Sequence, residues 1–211
     1  MQKSWRFIFS GAGEPAFNLA LDEALFIQTQ AEQNSVPILR FYTWNKPAIS
    51  IGYFQRVAKA CNLERCQKEN LPVIRRITGG RAVLHQNDLT YSFIGSAQDF
   101  PELGNTVFET YQKVSFVFLE GLKMLGIKGD WKKEKTFSNQ RDFSKPCFAT
   151  TSVYEITYQD KKLLGSAQKR RGKFFIQQGS LPLDPESIDF KMFLGNSNSH
   201  HKENHLDILD K

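Results

Sequence analysis

The hydrophobic pattern predicts an α+β domain built around a mixed sheet. Short apolar segments bounded by Gly, Pro, Asn and Asp recur along the chain and indicate strands. Three longer segments with apolar residues at helical intervals indicate helices. At 211 residues the chain is long enough for one domain with a sizeable core. We expect a folded domain over residues 1–193 and a polar, turn-rich tail over residues 194–211.

The first part of the chain alternates strands and helices. Its predicted elements, in order, are a strand at 5–9, a helix to about residue 33, a strand opening at Val36-Pro37, a strand at 48–52, a helix at about 56–69 and a strand at Val73-Ile74. Asn45-Lys46-Pro47 is typical of a hairpin turn. The last strand leads into Gly79-Gly80, where a turn is expected.

The second part predicts further strands around one long helix. Its elements are strands at 82–84 and 89–94, a helix at 105–125, and strands at 154–158, 162–165 and 174–179. The helix is the clearest, because Val107, Val114 and Leu122 recur at helical spacing and Gly126 follows its end. Residues 128–145 are rich in Lys and predict a mobile connection.

The composition of the chain indicates which binding partners and which cellular compartment to expect. A formal charge of +6 favours acidic partners, which include nucleic acid, anionic membranes and acidic carrier proteins. No nucleic-acid-binding motif accompanies the charge, and no apolar run reaches membrane-spanning length, so neither nucleic acid nor membrane is an expected partner. Three scattered cysteines and a start without a signal core predict a cytoplasmic protein.

One stretch concentrates cations and glycines where a strand gives way to a turn. It reads Arg75-Arg76-Ile77-Thr78-Gly79-Gly80-Arg81-Ala82-Val83-Leu84-His85. Two glycines allow close backbone approach to a bound group, and arginines offer forked donors for an anion or a carbonyl. A hairpin turn with solvated arginines explains the same residues equally well.

A second stretch places a cysteine ahead of a lysine. Cys147 precedes Lys162 by 15 residues, and Lys162 opens Lys162-Leu163-Leu164-Gly165-Ser166-Ala167-Gln168. A thiolate accepts an acyl group from a thioester readily, and a neighbouring ammonium lowers the pKa of a thiol. An isolated cysteine is otherwise a small buried hydrophobe.

Together the two stretches resemble a known superfamily. Arg-Arg-x-Thr-Gly-Gly-x-Ala-Val-x-His followed by Lys-x-x-Gly-Ser-Ala-Gln is similar to the lipoate-protein ligases, biotin-protein ligases and octanoyltransferases, and within them to the cysteine-dependent octanoyltransferases. Further matches are Asn18-Leu19-Ala20-Leu21-Asp22-Glu23-Ala24, Leu39 to Trp44 and Ser50 to Gln55. The resemblance implies a largely antiparallel sheet flanked by helices, as in the biotin/lipoate-protein ligase catalytic domain.

The resemblance also implies an activity and its residues. An octanoyl group would pass from octanoyl-acyl carrier protein to Cys147, activated by Lys162, and then to a lysine of a lipoyl domain. The acceptors would be lipoyl domains of 2-oxoacid dehydrogenase complexes or the glycine cleavage H protein, and no cofactor or metal would be needed. The implied substrate-binding residues are Arg75, Arg76, Thr78, Gly79, Gly80, Arg81, Ala82, His85, Gly165, Ser166, Ala167 and Gln168.

Three alternative functions stay open. A lipoate-protein ligase would use ATP and Mg to form an acyl-adenylate; against it stand Arg81 where ligases carry a third glycine, and the presence of Cys147. A related amidotransferase would move octanoyl or lipoyl groups between two proteins. A non-catalytic module would bind lipoyl or carrier domains without turnover.

One residue departs from the octanoyltransferase pattern. Gln178 stands where octanoyltransferases usually have histidine. The effect of this difference on activity depends on whether the histidine titrates or only forms hydrogen bonds.

Several polar residues have simpler structural interpretations. Thr78 is expected to bond a turn and His85 to order a loop through its ring nitrogens. Asp22 and Glu23 are expected to be helix-surface or packing groups. Cys61 and Cys66 are expected at ordinary helix positions, and the clustered histidines of the tail are expected to be solvated rather than to bind metal.

Overall fold

The computed structural model describes residues 4–32, 36–131, 156–159, 161–183 and 190–195. Within these ranges the chain forms ten strands, four α-helices and two 3₁₀ turns. The strands are β1 (Arg6–Gly13), β2 (Ile38–Trp44), β3 (Ala48–Ile51), β4 (Val73–Arg75), β5 (Val83–His85), β6 (Asp88–Ser96), β7 (Asp130–Trp131), β8 (Ile156–Tyr158), β9 (Lys161–Arg171) and β10 (Phe174–Pro182). The helices are α1 (Pro15–Ala31), α2 (Val57–Ala60), α3 (Leu63–Lys68) and α4 (Val107–Met124), and the 3₁₀ turns span Pro101–Leu103 and Phe190–Phe193.

The strands form one large and one small sheet. The large sheet has the order β1-β2-β6-β10-β9-β8-β7, and every neighbouring pair is antiparallel except β1 and β2. The small sheet has the order β4-β3-β5, with β3 parallel to β4 and antiparallel to β5. The predicted α+β fold with a mixed, largely antiparallel sheet is therefore confirmed.

Each face of the large sheet packs against one long helix. Side chains alternate along a strand, so Ile38, Arg40 and Tyr42 of β2 share one face and Leu39 and Phe41 share the other. On the first face, α1 packs through apolar side chains onto the central strands; this core contains Leu25, Phe26, Ile38, Ile94 and Ile176. On the second face lies α4; that core contains Tyr91, Phe93, Leu103, Val114, Leu122, Ile156, Leu163, Leu164 and Phe175.

The small sheet has a core of its own. It contains Ile49, Ile51, Ala60, Cys61, Cys66, Leu71, Ala82 and Phe193. Cys61 and Cys66 are buried free thiols, and desolvation raises the pKa of both, that of Cys61 to about 12. Leu194 bridges to Cys61, so the start of the predicted tail lies against this core. Residues 196–211 lie outside the described ranges.

Two predicted local elements are wrong. The segment 56–69 forms two short helices rather than one, because α2 ends at Ala60 and Asn62 caps α3 by accepting from the Arg65 amide. Asn45-Lys46-Pro47 does not form a hairpin. Both edges of β2 are already paired, with β1 and β6, so the chain crosses to the small sheet and β3 pairs there.

The Gly79-Gly80 connection is likewise no hairpin. β4 and β5 lie on opposite sides of β3, so the connection between them crosses that strand. It runs beside the first face of the large sheet, where a Cβ built on Gly80 would lie 3.4 Å from the Cβ of Ala167 in β9. The topology therefore brings the two sequence motifs into contact.

The remaining predicted strands and the long helix are present with adjusted ends. α4 spans Val107–Met124 and is capped by Thr106, whose hydroxyl accepts from the Glu109 amide. β1 continues beyond the predicted break at Gly11, with a register shift between Phe9 and Ala12. Of the predicted mobile connection at 128–145, residues 132–145 lie outside the described ranges. No helix in the described ranges has both the length and the hydropathy needed to cross a membrane.

Candidate active site

A buried carboxylate organises the first face of the large sheet. Asp22 of α1 is fully buried. Its Oδ1 accepts from Arg40 Nη1 and from Ser92 Oγ, and its Oδ2 accepts from Tyr42 Oη and from Gln178 Nε2. Asp22 is thus a packing residue, as expected, and its carboxylate joins α1 to the three strands β2, β6 and β10. Its neighbour Glu23 is exposed.

Two partners of Asp22, Arg40 and Tyr42, are also fully buried. Arg40 is fully buried and donates also to Ser10 Oγ, to the Asn18 carbonyl and to Asn18 Oδ1, and its guanidinium lies 3.9 Å from the Tyr42 ring centre. Burial raises the pKa of the Tyr42 phenol well above its ordinary value, and the negative charge of Asp22 raises it further. Tyr42 therefore stays protonated and keeps donating to the carboxylate.

Gln178 connects this network to the Gly-Gly connection. Its Nε2 donates to Asp22 at 2.7 Å and its Oε1 accepts from Thr78 Oγ1 at 2.8 Å. Thr78 is fully buried, and its carbonyl accepts from the Tyr53 amide. As expected, the Thr78 side chain forms a hydrogen bond that holds the loop, and its partner, Gln178, is 100 residues away in sequence.

The connection between β4 and β5 wraps around the Arg76 side chain. Arg76 is buried, and its guanidinium donates to the carbonyls of Ser50, Gly79 and Arg81 and to Ser50 Oγ. A buried guanidinium with this many carbonyl partners fixes the loop conformation. These contacts make Arg76 a structural centre of the loop.

Close backbone packing explains two of the glycines. A Cβ on Gly52 would lie 2.0 Å from the Gly80 carbonyl oxygen. Gly80 has a φ of 88° and would carry its Cβ 2.8 Å from Arg76 Nη2. Gly52 is therefore required because a side chain would clash with the backbone. Gly80 is required because a side chain would clash with Arg76 and also because its φ is positive.

Arg75 fixes the neighbouring turn after β3. Its side chain is exposed, yet its Nη1 donates to the carbonyls of Gly52, Tyr53 and Gln55 at 2.8 to 3.0 Å. The other predicted binding residues of this motif differ in exposure: Ala82 is buried, Gly79 and Arg81 are half-buried, and Gly80 is exposed. Arg75 and Arg76 therefore use their donors at least partly within the protein.

His85 is held from both ring nitrogens. Nε2 lies 2.8 Å from Ser50 Oγ and Nδ1 lies 2.9 Å from Asp88 Oδ2. Its ring stacks on Trp44 with centres 4.0 Å apart. The expectation that His85 orders the loop agrees with this geometry.

The second motif lies on β9, beside β10. Gly165, Ser166, Ala167 and Gln168 pair with Ser180, Gly179, Gln178 and Gln177. The Ser166 hydroxyl lies 2.8 Å from Tyr91 Oη, and its carbonyl accepts from Tyr111 Oη. Gln168 donates to Gln177 Oε1 and accepts from Arg170, so it orders the hairpin.

Lys162 lies at the start of this strand beside a β-bulge. In the pairing of β8 with β9, Thr157 faces Lys162 and Ile156 faces Leu164, which leaves Leu163 as the extra residue. Bulges often re-aim side chains next to functional sites. Lys162 is half-buried. Cys147, the predicted nucleophile, lies outside the described residues, so its distance from Lys162 stays a prediction.

Both motifs line one small cavity on the first face. Its volume is about 30 Å³, enough for about one water molecule. Its lining is Leu19, Tyr42, Trp44, Ser50, Arg76, Val83, His85, Thr90, Gly165, Ser166, Ala167, Gln178, Gly179 and Ser180. A larger apolar cavity of about 1000 Å³ lies on the second face, against α4, and none of the predicted site residues that the structure describes lines it.

The sequence-based prediction missed four residues that shape this cavity. Ser50 and Asp88 hold His85, Ser180 Oγ donates to Asp88 Oδ2, and Gly179 leaves room for the Tyr91 ring. The run Gln177-Gln178-Gly179-Ser180 on a predicted strand was the available signal, since polar residues in a buried strand need partners. In the described ranges no set of three or more His, Cys, Asp and Glu side chains is placed to hold a metal.

Comparison with known proteins places this site in a family. The sequence model of the lipoyl protein ligase A/B catalytic domain matches residues 14–208. Octanoyltransferase LipM of Carboxydothermus hydrogenoformans is 45% identical over 179 residues, which cover 85% of this chain and 65% of that protein. LipM of Bacillus subtilis is 42% identical over 200 residues, covering 92% and 71% respectively. The chain thus spans about two-thirds of the length of these relatives.

A solved structure shares the fold. The bipartite lipoate protein ligase of Thermoplasma acidophilum superposes with a TM-score of 0.68 at 22% sequence identity, over 92% of this chain and 67% of that one. The predicted superfamily resemblance is confirmed. The chain belongs to the lipoyl protein ligase A/B catalytic domain family, in which its relatives include octanoyltransferases LipM.

Proposed function

We propose that the chain is an octanoyltransferase that moves an octanoyl group from octanoyl-acyl carrier protein, through Cys147, to a lysine of a lipoyl domain. The acceptors are lipoyl domains of 2-oxoacid dehydrogenase complexes or the glycine cleavage H protein. One observation carries the proposal: residues of the Arg-Arg-x-Thr-Gly-Gly motif and of the Gly-Ser-Ala motif line the same cavity. The names of the LipM relatives point to the same reaction.

The reaction has two steps: the octanoyl group first moves from one thioester to another, and then from that thioester to an amide. The Cys147 thiolate attacks the carbonyl carbon of the donor thioester; the bond to the carrier thiol breaks, and that thiol takes a proton. The acceptor amine then attacks the acyl-cysteine, loses a proton and forms the amide as the Cys147 thiolate leaves. The donor is already activated, so neither step needs ATP.

The carbonyl end of the octanoyl group is proposed to bind at this cavity. Each step develops an oxyanion, and we propose the backbone amides near Gly79, Gly80 and Arg81 or near Gly165 and Ser166 as its donors. Leu19 and Val83 give the cavity an apolar wall for the start of the octanoyl chain. Since the cavity holds about one water molecule, binding of the eight-carbon chain requires that its walls move apart.

Lys162 is proposed to make the Cys147 thiol reactive. An ammonium near a thiol stabilises the thiolate and lowers the pKa of the thiol, which enlarges the reactive fraction near neutral pH. Lys162 stands on β9, three residues before the cavity-lining Gly165, next to the bulge that interrupts the pairing with β8. This placement supports a role for Lys162 at the cavity.

Gln178 is proposed to form hydrogen bonds rather than to transfer protons. It accepts from Thr78 and donates to Asp22. A histidine offers the same pair of functions, because one neutral ring nitrogen accepts while the other donates. The departure from the usual octanoyltransferase histidine is therefore compatible with activity.

The first prediction concerns the covalent intermediate. Incubation with octanoyl-acyl carrier protein without ATP gives an octanoyl adduct on the intact protein, detected by mass spectrometry. Cys147→Ser removes the thioester adduct, and Cys147→Ala lowers transfer to the lipoyl domain by at least about a thousandfold. Cys61→Ala serves as the matched control and keeps the adduct, because Cys61 is a buried structural thiol. An adduct only with free octanoate and ATP supports a ligase instead, and no adduct under either condition supports a binding module.

The second prediction concerns pH. Lys162→Met raises the pKa of the Cys147 thiol by about one unit or more, so alkylation by iodoacetamide near neutral pH slows and its midpoint moves to higher pH. The Cys147→Ala protein gives the background from Cys61 and Cys66, whose raised thiol pKa values keep them protonated there. An unchanged alkylation profile in Lys162→Met contradicts the proposed activation.

The third prediction separates the two possible roles of residue 178. Gln178→His keeps octanoyl transfer within about threefold, because both hydrogen bonds can be kept. Gln178→Leu leaves Asp22 and Thr78 each one partner short and lowers the free energy of unfolding by about 1 to 3 kcal/mol, measured by urea denaturation. Equal stability of Gln178→Leu and the unsubstituted protein would show that this link does not hold the site together.

A further inference from the structure

Two aromatic side chains project from the turn after β3. Phe54 is 84% exposed and Tyr53 is 50% exposed, and their rings meet edge to face with centres 5.0 Å apart. A single exposed aromatic residue is ordinary on a protein surface. An adjacent aromatic pair exposed to this extent leaves apolar surface in water that a partner could bury.

The backbone of this turn is fixed against the connection between β4 and β5, which carries the cavity-lining Arg76. Arg75 binds three of its carbonyls, the Tyr53 amide donates to the Thr78 carbonyl, and the Gly52 amide donates to Gln55 Oε1. Gly52 packs directly on the Gly80 carbonyl. Because the turn is fixed before any partner arrives, little conformational entropy is lost when its side chains are covered.

The sequence segments that carry this turn and the cavity motifs are strongly basic. The segments 48–61, 71–85 and 161–182, which carry the cavity motifs, hold eleven Lys and Arg residues and no Asp or Glu. The whole chain has a formal charge of +6, so the rest of it carries −5. Lys169 Nζ lies 4.8 Å from the centre of the Tyr53 ring. One of these cations, the Lys169 ammonium, therefore lies directly against the aromatic pair.

The combination of an aromatic pair and surrounding cations suits an acidic protein surface. Interfaces are enriched in Phe, Tyr and Arg, and a central aromatic residue often contributes most of the binding energy. Surrounding charges add selectivity and speed the encounter. A small anionic ligand would use the cations but would leave Phe54 uncovered.

We propose that Tyr53, Phe54 and Lys169 form the docking surface for the acidic acceptor domain, a proposal that rests on the proposed function. The acceptor reacts through a lysine with only a four-carbon stem. Its backbone must therefore come close to the cavity, and the Tyr53-Phe54 turn packs against the connection that carries the cavity-lining Arg76. The acyl donor carries its cargo on a long prosthetic arm and has no need to cover this turn.

The fourth prediction is a loss of binding to an unmodified lipoyl domain, measured by titration calorimetry. Phe54→Ala raises the dissociation constant about tenfold or more. Lys169→Glu raises it several-fold and weakens its dependence on salt, because a charge at the rim is removed and reversed. Phe116→Ala and Lys113→Glu, at exposed positions of α4 on the opposite face of the sheet, leave the dissociation constant unchanged.

Two half-reactions identify the partner. Phe54→Ala acylated with octanoyl-pantetheine transfers its octanoyl group to the lipoyl domain more slowly at low domain concentration, while the acylation step keeps its rate. Unchanged binding of the lipoyl domain by Phe54→Ala overturns the proposal. Weaker binding of the acyl carrier protein, with lipoyl-domain binding intact, overturns it as well, because the surface then serves the donor.

The binding measurement is independent of catalysis. If no variant forms an acyl adduct while Phe54→Ala still binds the lipoyl domain about tenfold more weakly, the octanoyltransferase mechanism fails and the docking surface stands. If adducts form normally and binding is unaffected, the mechanism stands and the docking surface fails.

Discussion

The carboxylate of Asp22 is the interaction on which the rest of the structure depends. It is fully buried and accepts from four donors, supplied by β2, β6 and β10. A buried charge is costly unless it is paired and its remaining lone pairs are satisfied. Here Arg40 supplies the opposite charge, and neutral donors fill the other positions. The helix α1 and the central strands can therefore pack in one arrangement, because any other would leave a charge without partners.

The same network reaches the cavity. Gln178 donates to Asp22 and accepts from the Thr78 hydroxyl, and the Thr78 carbonyl accepts from the Tyr53 amide. A single chain of hydrogen bonds thus runs from the core of the sheet, through the Gly-Gly connection, to the turn that carries Phe54. Arg76 fixes that connection from within. The residues proposed to bind the acyl group and those proposed to bind its acceptor are therefore connected by one hydrogen-bonded framework.

The local hydrophobic pattern of the sequence predicted most of the helices and strands. The features that it missed depend on pairing between distant parts of the chain. The helix at Val107–Met124 and most strands followed from periodicity and turn residues. The hairpin expected at Asn45-Lys46-Pro47 failed because strand partners are chosen by long-range packing, which local sequence does not encode. The roles of Thr78 and His85 were expected from residue type, but their partners Gln178, Ser50 and Asp88 were not, since they lie far away in sequence or in another sheet. The proposed role of Cys147 as the nucleophile rests on the family pattern, and of the proposed pair only Lys162 lies on a described strand.

Substitution of Asp22 by asparagine tests the central claim most directly. Asn keeps the shape but removes the charge facing Arg40, and it turns an NH₂ group toward donors. We expect the free energy of unfolding, measured in urea, to fall by about 3 to 5 kcal/mol. Amide hydrogen exchange at residues 76–80 should also become faster in the native state. The exposed neighbour provides the control, because Glu23→Gln should change stability by less than about 0.5 kcal/mol. A loss below about 1 kcal/mol in Asp22→Asn, with unchanged exchange at 76–80, would contradict the claim that this carboxylate holds the site together.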